Sequence, residues 1–99
     1  MIDLLRNEGF SVKVGLAGMD TAFTAAIGSG HPVIGLLAEF DALSGLSQCA
    51  DIAVPCPREG IENGHGCGHN LLGTASVGAA LMLRDYLAEH KLSGTIILI

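Results

Sequence analysis

Val33-Ile34-Gly35-Leu36-Leu37-Ala38-Glu39-Phe40-Asp41 is the stretch on which the fold turns. Its first eight residues are almost continuously apolar, the pattern of a strand buried on both faces. Glu39 and Asp41 stand two apart at its carboxyl end, so they are expected to point to the same side. Strand carboxyl ends are where α/β folds gather their ligand sites. The pair could bind a metal, orient a metal ligand or move protons. It could equally be two solvated acids where a strand meets water.

Before this strand, Met1 to Glu8 reads as a short helix stopped by Gly9. Phe10 to Leu16 alternates as a strand, with Phe10, Val12 and Val14 on one face. Thr21 to Ile27 is a second strand, closed by Gly28-Ser29-Gly30 and the His31-Pro32 turn. After it, Leu43 to Asn63 is irregular and rich in Gly and Pro; a loop this long is usually functional or mobile. Leu71 to His90 is the clearest helix, with Asn70 as a possible cap. Leu71, Leu72, Ala75, Ala79, Met82, Leu83, Tyr86 and Leu87 are assigned to its inward face. Small residues such as Gly73 and Ala80 permit close packing on a sheet. Thr95 to Ile99 reads as another buried strand. The order implies an α/β layer with a mixed, partly parallel sheet.

Composition bounds the function. The 99 residues allow one domain at most. They are 49% hydrophobic and 15% charged, so part of this apolar surface is expected to pack against something outside the chain. A net charge of −5 with no basic stripe argues against nucleic acid. No apolar run is long enough to span a bilayer, and the first ten residues lack a signal peptide's order, so a cytoplasmic location is expected. The three cysteines, Cys49, Cys56 and Cys67, do not suggest a secreted disulfide framework.

The strongest chemical signal is Gly64-His65-Gly66-Cys67-Gly68-His69-Asn70. Three possible ligands alternate with glycines that let the backbone bend toward one point. Imidazole and thiolate suit Zn²⁺ and neighbouring ions. Free N–H groups at the start of the following helix would favour a thiolate at Cys67. The competing reading is a tight glycine turn with a buried Cys and two surface histidines. Cys49, Cys56, Cys67 and His69 could also make a structural zinc knot, although no Cys-x₂-Cys spacing supports it. His31 reads as a turn residue, and His90 as a partner of the helix dipole.

Ala38-Glu39-Phe40-Asp41-Ala42-Leu43, followed by Gly64-His65-Gly66-Cys67-Gly68-His69-Asn70, resembles the aminoacylase/carboxypeptidase-like dinuclear metallopeptidase (amidohydrolase) family. The closer resemblance is to the branch holding p-aminobenzoyl-glutamate, auxin-conjugate and hippurate hydrolases. Gly9-Phe10-Ser11-Val12, Thr21-Ala22-Phe23 and Gly94-Thr95-Ile96 extend the likeness along the chain.

The resemblance implies a partial three-layer α/β catalytic domain and two divalent metal ions, Zn or Mn. It implies hydrolysis of a small-molecule amide or dipeptide substrate. Cys67 and His69 match metal-ligating positions, and Asp41 matches the acidic catalytic residue beside the metals. Glu39 falls where other branches place a metal-binding His and is not assigned as a ligand. Asn70, where many relatives have Asp, leans the substrate toward N-acyl-glutamates.

Family members are several times longer than this chain and usually dimerise through an inserted lid domain. On that comparison residues 1–99 are the N-terminal part of the catalytic domain, without the dimerisation domain, and belong to a full-length homodimer. The family's Glu-Glu pair and later His ligands lie beyond the strand matching Gly94 to Ile99, so the 99 residues alone are expected to be inactive. Two other readings stand beside this one: a small structural metal-binding module, and half of a split enzyme completed by a second chain.

Overall fold

A computed structural model describes residues 1–99. The chain begins with helix α1 (Ile2–Asn7). Its end is set by Gly9 at φ 87°, a left-handed conformation that glycine adopts without a Cβ penalty. The Gly9 and Phe10 N–H groups donate back to the carbonyls of Arg6 and Leu5. Leu5 and Phe10 are both buried, supplying the apolar contact that accompanies this kind of helix stop.

Strand β1 (Ser11–Val14) turns through a short 3₁₀ segment, Leu16–Gly18, into β2 (Phe23–Ser29). Next comes β3 (Val33–Leu36), then the long irregular stretch, helix α2 (His69–Glu89) and β4 (Gly94–Leu98). The sheet order is β1-β2-β4-β3. β4 lies antiparallel to β2, with Ala25 opposite Leu98, and parallel to β3, with Ile34 opposite Ile96. The mixed, partly parallel sheet expected from the sequence is therefore present. β3, α2 and β4 form a βαβ crossover.

Facing residues of paired strands share a side of the sheet. Ala25, Ile96 and Leu98 all point to one side, and there they meet Leu5 from α1 and Val77 and Ala80 from α2 in a single core. Both helices thus cover the same sheet face. Thr24, Ala26, Val33, Gly35, Thr95 and Ile97 form the other face, which no element of the chain covers. The 99 residues supply two layers of the expected three.

Three local expectations are corrected. The strand over 33–40 is paired only as far as Leu36, and it lies at the sheet edge with Val33 51% exposed rather than buried on both faces. The cap of α2 is Gly68, at φ 82°, and Asn70 lies within the first turn. The buried stripe of α2 is Gly73, Ser76, Val77 and Ala80, whereas Leu71, Met82 and Tyr86 face outward. This helix is apolar nearly all round, so its pattern could not select the inner side. Such a helix is normally covered on more than one face.

Size measures agree with this incomplete cover. The exposed surface is 6703 Å² at a mass of 10.1 kDa, where a compact monomer would show about 5,300 Å². The radius of gyration is 16.8 Å against about 13 Å for a compact domain of this length. No helix is long and apolar enough to cross a membrane.

Candidate functional site

The backbone leaves β3 at Leu36 and runs over the start of α2. Ala38 N–H still donates to the Ile99 carbonyl at 2.7 Å, so the segment stays tied to the end of β4. The Ser76 hydroxyl donates to the Leu37 carbonyl at 2.6 Å. Gly73 lets the helix come close: a Cβ there would lie 2.8 Å from the Glu39 carbonyl oxygen. One small and one hydroxyl residue, three apart on α2, thus hold residues 37–39 against its first turns. That places Glu39 and Asp41 beside His69, the first residue of the helix.

Glu39, Asp41 and His69 each offer a ligand atom, all within 4.8 Å of one another. His69 Nδ1 is 2.5 Å from Asp41 Oδ1, and His69 Nε2 is 3.4 Å from Glu39 Oε2. With Asp41 accepting from Nδ1–H, the Nε2 lone pair faces the Glu39 side. A carboxylate fixing the tautomer of an imidazole in this way is the usual support for a metal-binding His. Two carboxylates and one imidazole suit a divalent ion of the Zn or Mn kind. The residues present fit such an ion, with His69 Nε2 and the Glu39 carboxylate as donors and Asp41 orienting the ring, in an open, partly solvated site.

The hydrogen bond from His69 holds the Asp41 carboxyl below its usual 3.8; slight burial opposes this, and the imidazole charge adds to it. A carboxylate depressed in the folded state contributes stability above its unfolded pKa, and that contribution is lost as pH falls through the folded value. In His69→Ala the Asp41 carboxyl should therefore titrate at an ordinary value, seen as an upward shift in its ¹³C-detected NMR titration. An unshifted Asp41 in that variant would contradict the pairing.

Cys67 is exposed and is not among the three converging residues. His65 is exposed too. Cys49 and Cys56 face each other elsewhere in the loop, so the four residues of the structural zinc knot do not gather. His31 lies in the exposed turn before β3. His90 caps α2, bonds the Tyr86 carbonyl through Nδ1 and stacks on the Tyr86 ring at 4.1 Å. Glu39, set aside as a ligand on the sequence, lies in the cluster. Its even spacing from Asp41 was the one local signal for it.

The glycines of the His/Cys segment have distinct jobs. Gly68 takes the left-handed turn that opens α2. Gly64 pairs with Leu43 in an isolated bridge, and a Cβ at Gly64 would collide with the Leu46 backbone carbonyl. Gly64→Ala should open this two-stranded base at a cost of about 1–3 kcal/mol. The check is amide exchange, which should accelerate at Leu43 and Ser47, whose N–H groups donate to the Gly64 and Glu62 carbonyls.

A parallel βαβ crossover with acids past one strand and an imidazole opening the helix defines the chain as part of an α/β domain with a candidate ligand site at its strand ends. Over 92 residues, 93% of its length, it is 48% identical to a subunit of p-aminobenzoyl-glutamate hydrolase from Escherichia coli (strain K12). Identity at this level makes the two homologous over the shared stretch. The chain spans 19% of that relative's length. No family model matches the chain.

Proposed function

We propose that this chain forms the metal-binding edge of an amidohydrolase that cleaves N-acyl amino acids or dipeptides, with p-aminobenzoyl-glutamate as the substrate type. The observation that carries the reading is the convergence of Glu39, Asp41 and His69 at the carboxyl end of a parallel strand, in a chain that is 48% identical over 92 residues to a hydrolase subunit. A divalent ion held there would polarise the amide carbonyl and acidify a water.

The chain's own groups do the positioning. Asp41 keeps the proton of His69 on Nδ1, leaving Nε2 as the donor nitrogen. Glu39 sets a second negative oxygen opposite that nitrogen. Cys67, exposed one turn before α2, is a further donor for the second ion of a dinuclear centre. The proton-accepting base and the remaining ligands come from polypeptide outside these 99 residues. That polypeptide also supplies cover for the open sheet face and the outer side of α2. On this reading the isolated chain is inactive, and the relative's designation as a subunit makes an assembly of more than one chain the expected working form.

The test is a chimera in which residues of this chain replace the 92 matched residues of the Escherichia coli protein. The chimera should release glutamate from p-aminobenzoyl-glutamate in a chelator-sensitive manner, while the 99-residue chain alone should not. A folded chimera that keeps its activity after exhaustive chelation would refute the metal reading. A folded, metal-loaded chimera inactive on every N-acyl amino acid offered would refute the substrate class.

A further inference from the structure

The loop between Gly45 and Asn63 holds a second pair of reactive groups that the cluster at His69 does not use. Cys49 and Cys56 are free, half-buried thiols with their Sγ atoms 3.1 Å apart. Cys56 S–H donates to Cys49 Sγ, so the Cys49 sulfur is the acceptor of the pair. The backbone also joins them: Cys49 N–H donates to the Cys56 carbonyl at 2.7 Å.

The turn between the two cysteines is built around one side chain. Gln48 Nε2 donates to the carbonyls of Ile52 and Val54, at 3.0 and 2.9 Å. Its Oε1 accepts from Cys56 N–H at 2.9 Å. The base of the loop is anchored beyond the cysteines as well. Ser47 N–H donates to the Glu62 carbonyl, and the Ser47 hydroxyl accepts from Arg58 N–H. The thiols therefore face each other because the loop is ordered, and not merely because they lie seven residues apart.

We propose that Cys49 and Cys56 form a dithiol site, held in register by Gln48, that exchanges with small disulfides and closes reversibly into an intramolecular bridge. The thiolate of Cys49 attacks one sulfur of a small disulfide RSSR, forming a Cys49–SR mixed disulfide and releasing RS⁻. The Cys56 thiolate then attacks Cys49 Sγ and expels the second RS⁻, which takes up a proton. Two cysteine thiols are oxidised, one small disulfide is reduced to two thiols, and the protons lost by the cysteines end on the released thiols. The short Sγ separation suits the second thiol to the resolving step.

The chain should be equilibrated with mixtures of oxidised and reduced glutathione, quenched by alkylation, and mapped by mass spectrometry in native buffer and in denaturant. The expected native product is a Cys49–Cys56 bridge with Cys67 alkylated. Its equilibrium constant should be at least about tenfold above that in denaturant, the advantage an ordered loop adds to chain proximity. Gln48→Ala, which retains all three thiols, should lose most of that advantage. Equal constants in native buffer and denaturant, pairing that involves Cys67, or an undiminished advantage in Gln48→Ala would each overturn the proposal.

Discussion

In the chimera, His69→Ala will lower kcat/KM by on the order of 10³-fold or more. The imidazole is the donor that both flanking carboxylates address, with Asp41 on Nδ1 and Glu39 facing Nε2. Removing it takes away a ligand and leaves two carboxylates facing each other. A bound divalent ion contributes several kcal/mol of transition-state charge stabilisation, and each 1.4 kcal/mol or so is a factor of ten in rate. Asp41→Asn should cost less, about 10–100-fold, because it disturbs the orientation of the ring without deleting a ligand.

The two variants should also separate in binding. Zinc affinity by competition with a chromophoric chelator should collapse in His69→Ala and fall only partly in Asp41→Asn. If His69→Ala retains wild-type kcat/KM in a folded chimera, the cluster is not the metal site and the proposed function loses its main support.

Ile96→Ala will cost about 3–4 kcal/mol of stability. Ile96 is fully buried at the centre of β4, opposite Ile27 on one side and Ile34 on the other. Truncation removes apolar area and leaves a cavity that a strand flanked on both sides cannot collapse to fill. The loss matters more here than in an ordinary domain. Only ten of 99 residues are buried, so few other contacts share the load. Met82→Ala, at a side chain 74% exposed on the outer face of α2, should change the isolated chain by no more than about 0.5 kcal/mol. Urea denaturation followed by far-UV circular dichroism measures both. The same Met82→Ala change should become costly in the chimera if the rest of the polypeptide covers that face. Equal effects of the two substitutions in the isolated chain would mean that the sheet–helix core does not hold it together.

Much of this was legible locally. The helix over 71–90 and the strand near 95–99 follow from steric preferences and periodicity within a few residues of each position, whereas the turn expected at Gly28-Ser29-Gly30 begins later, since Gly28 and Ser29 still belong to β2. The segment 64–70 also follows as a place where chemistry gathers, since glycines alternating with His and Cys are a local pattern. Asp41 and His69, singled out from motif alone, are two of the three residues that converge.

What the tertiary structure decided is everything that required two distant segments to meet. The apolar residues of α2 run nearly round the helix, so only its docking on β4 selected Ser76, Val77 and Ala80 over Leu71, Met82 and Tyr86 as the inner stripe. The run over 33–40 reads as a doubly buried strand, yet its regular strand ends at Leu36, with one further bond from Ala38 to Ile99, because the chain turns there to cross the start of α2. Glu39 reads as a solvated acid until Gly73 and Ser76 draw its backbone against the helix and its carboxylate reaches His69. Cys49 and Cys56 read as members of a scattered ligand set until Gln48 folds the loop and turns them toward each other. Sequence determines conformation over the few residues that share local sterics; partners thirty residues apart are chosen by packing, which depends on the whole surface being buried.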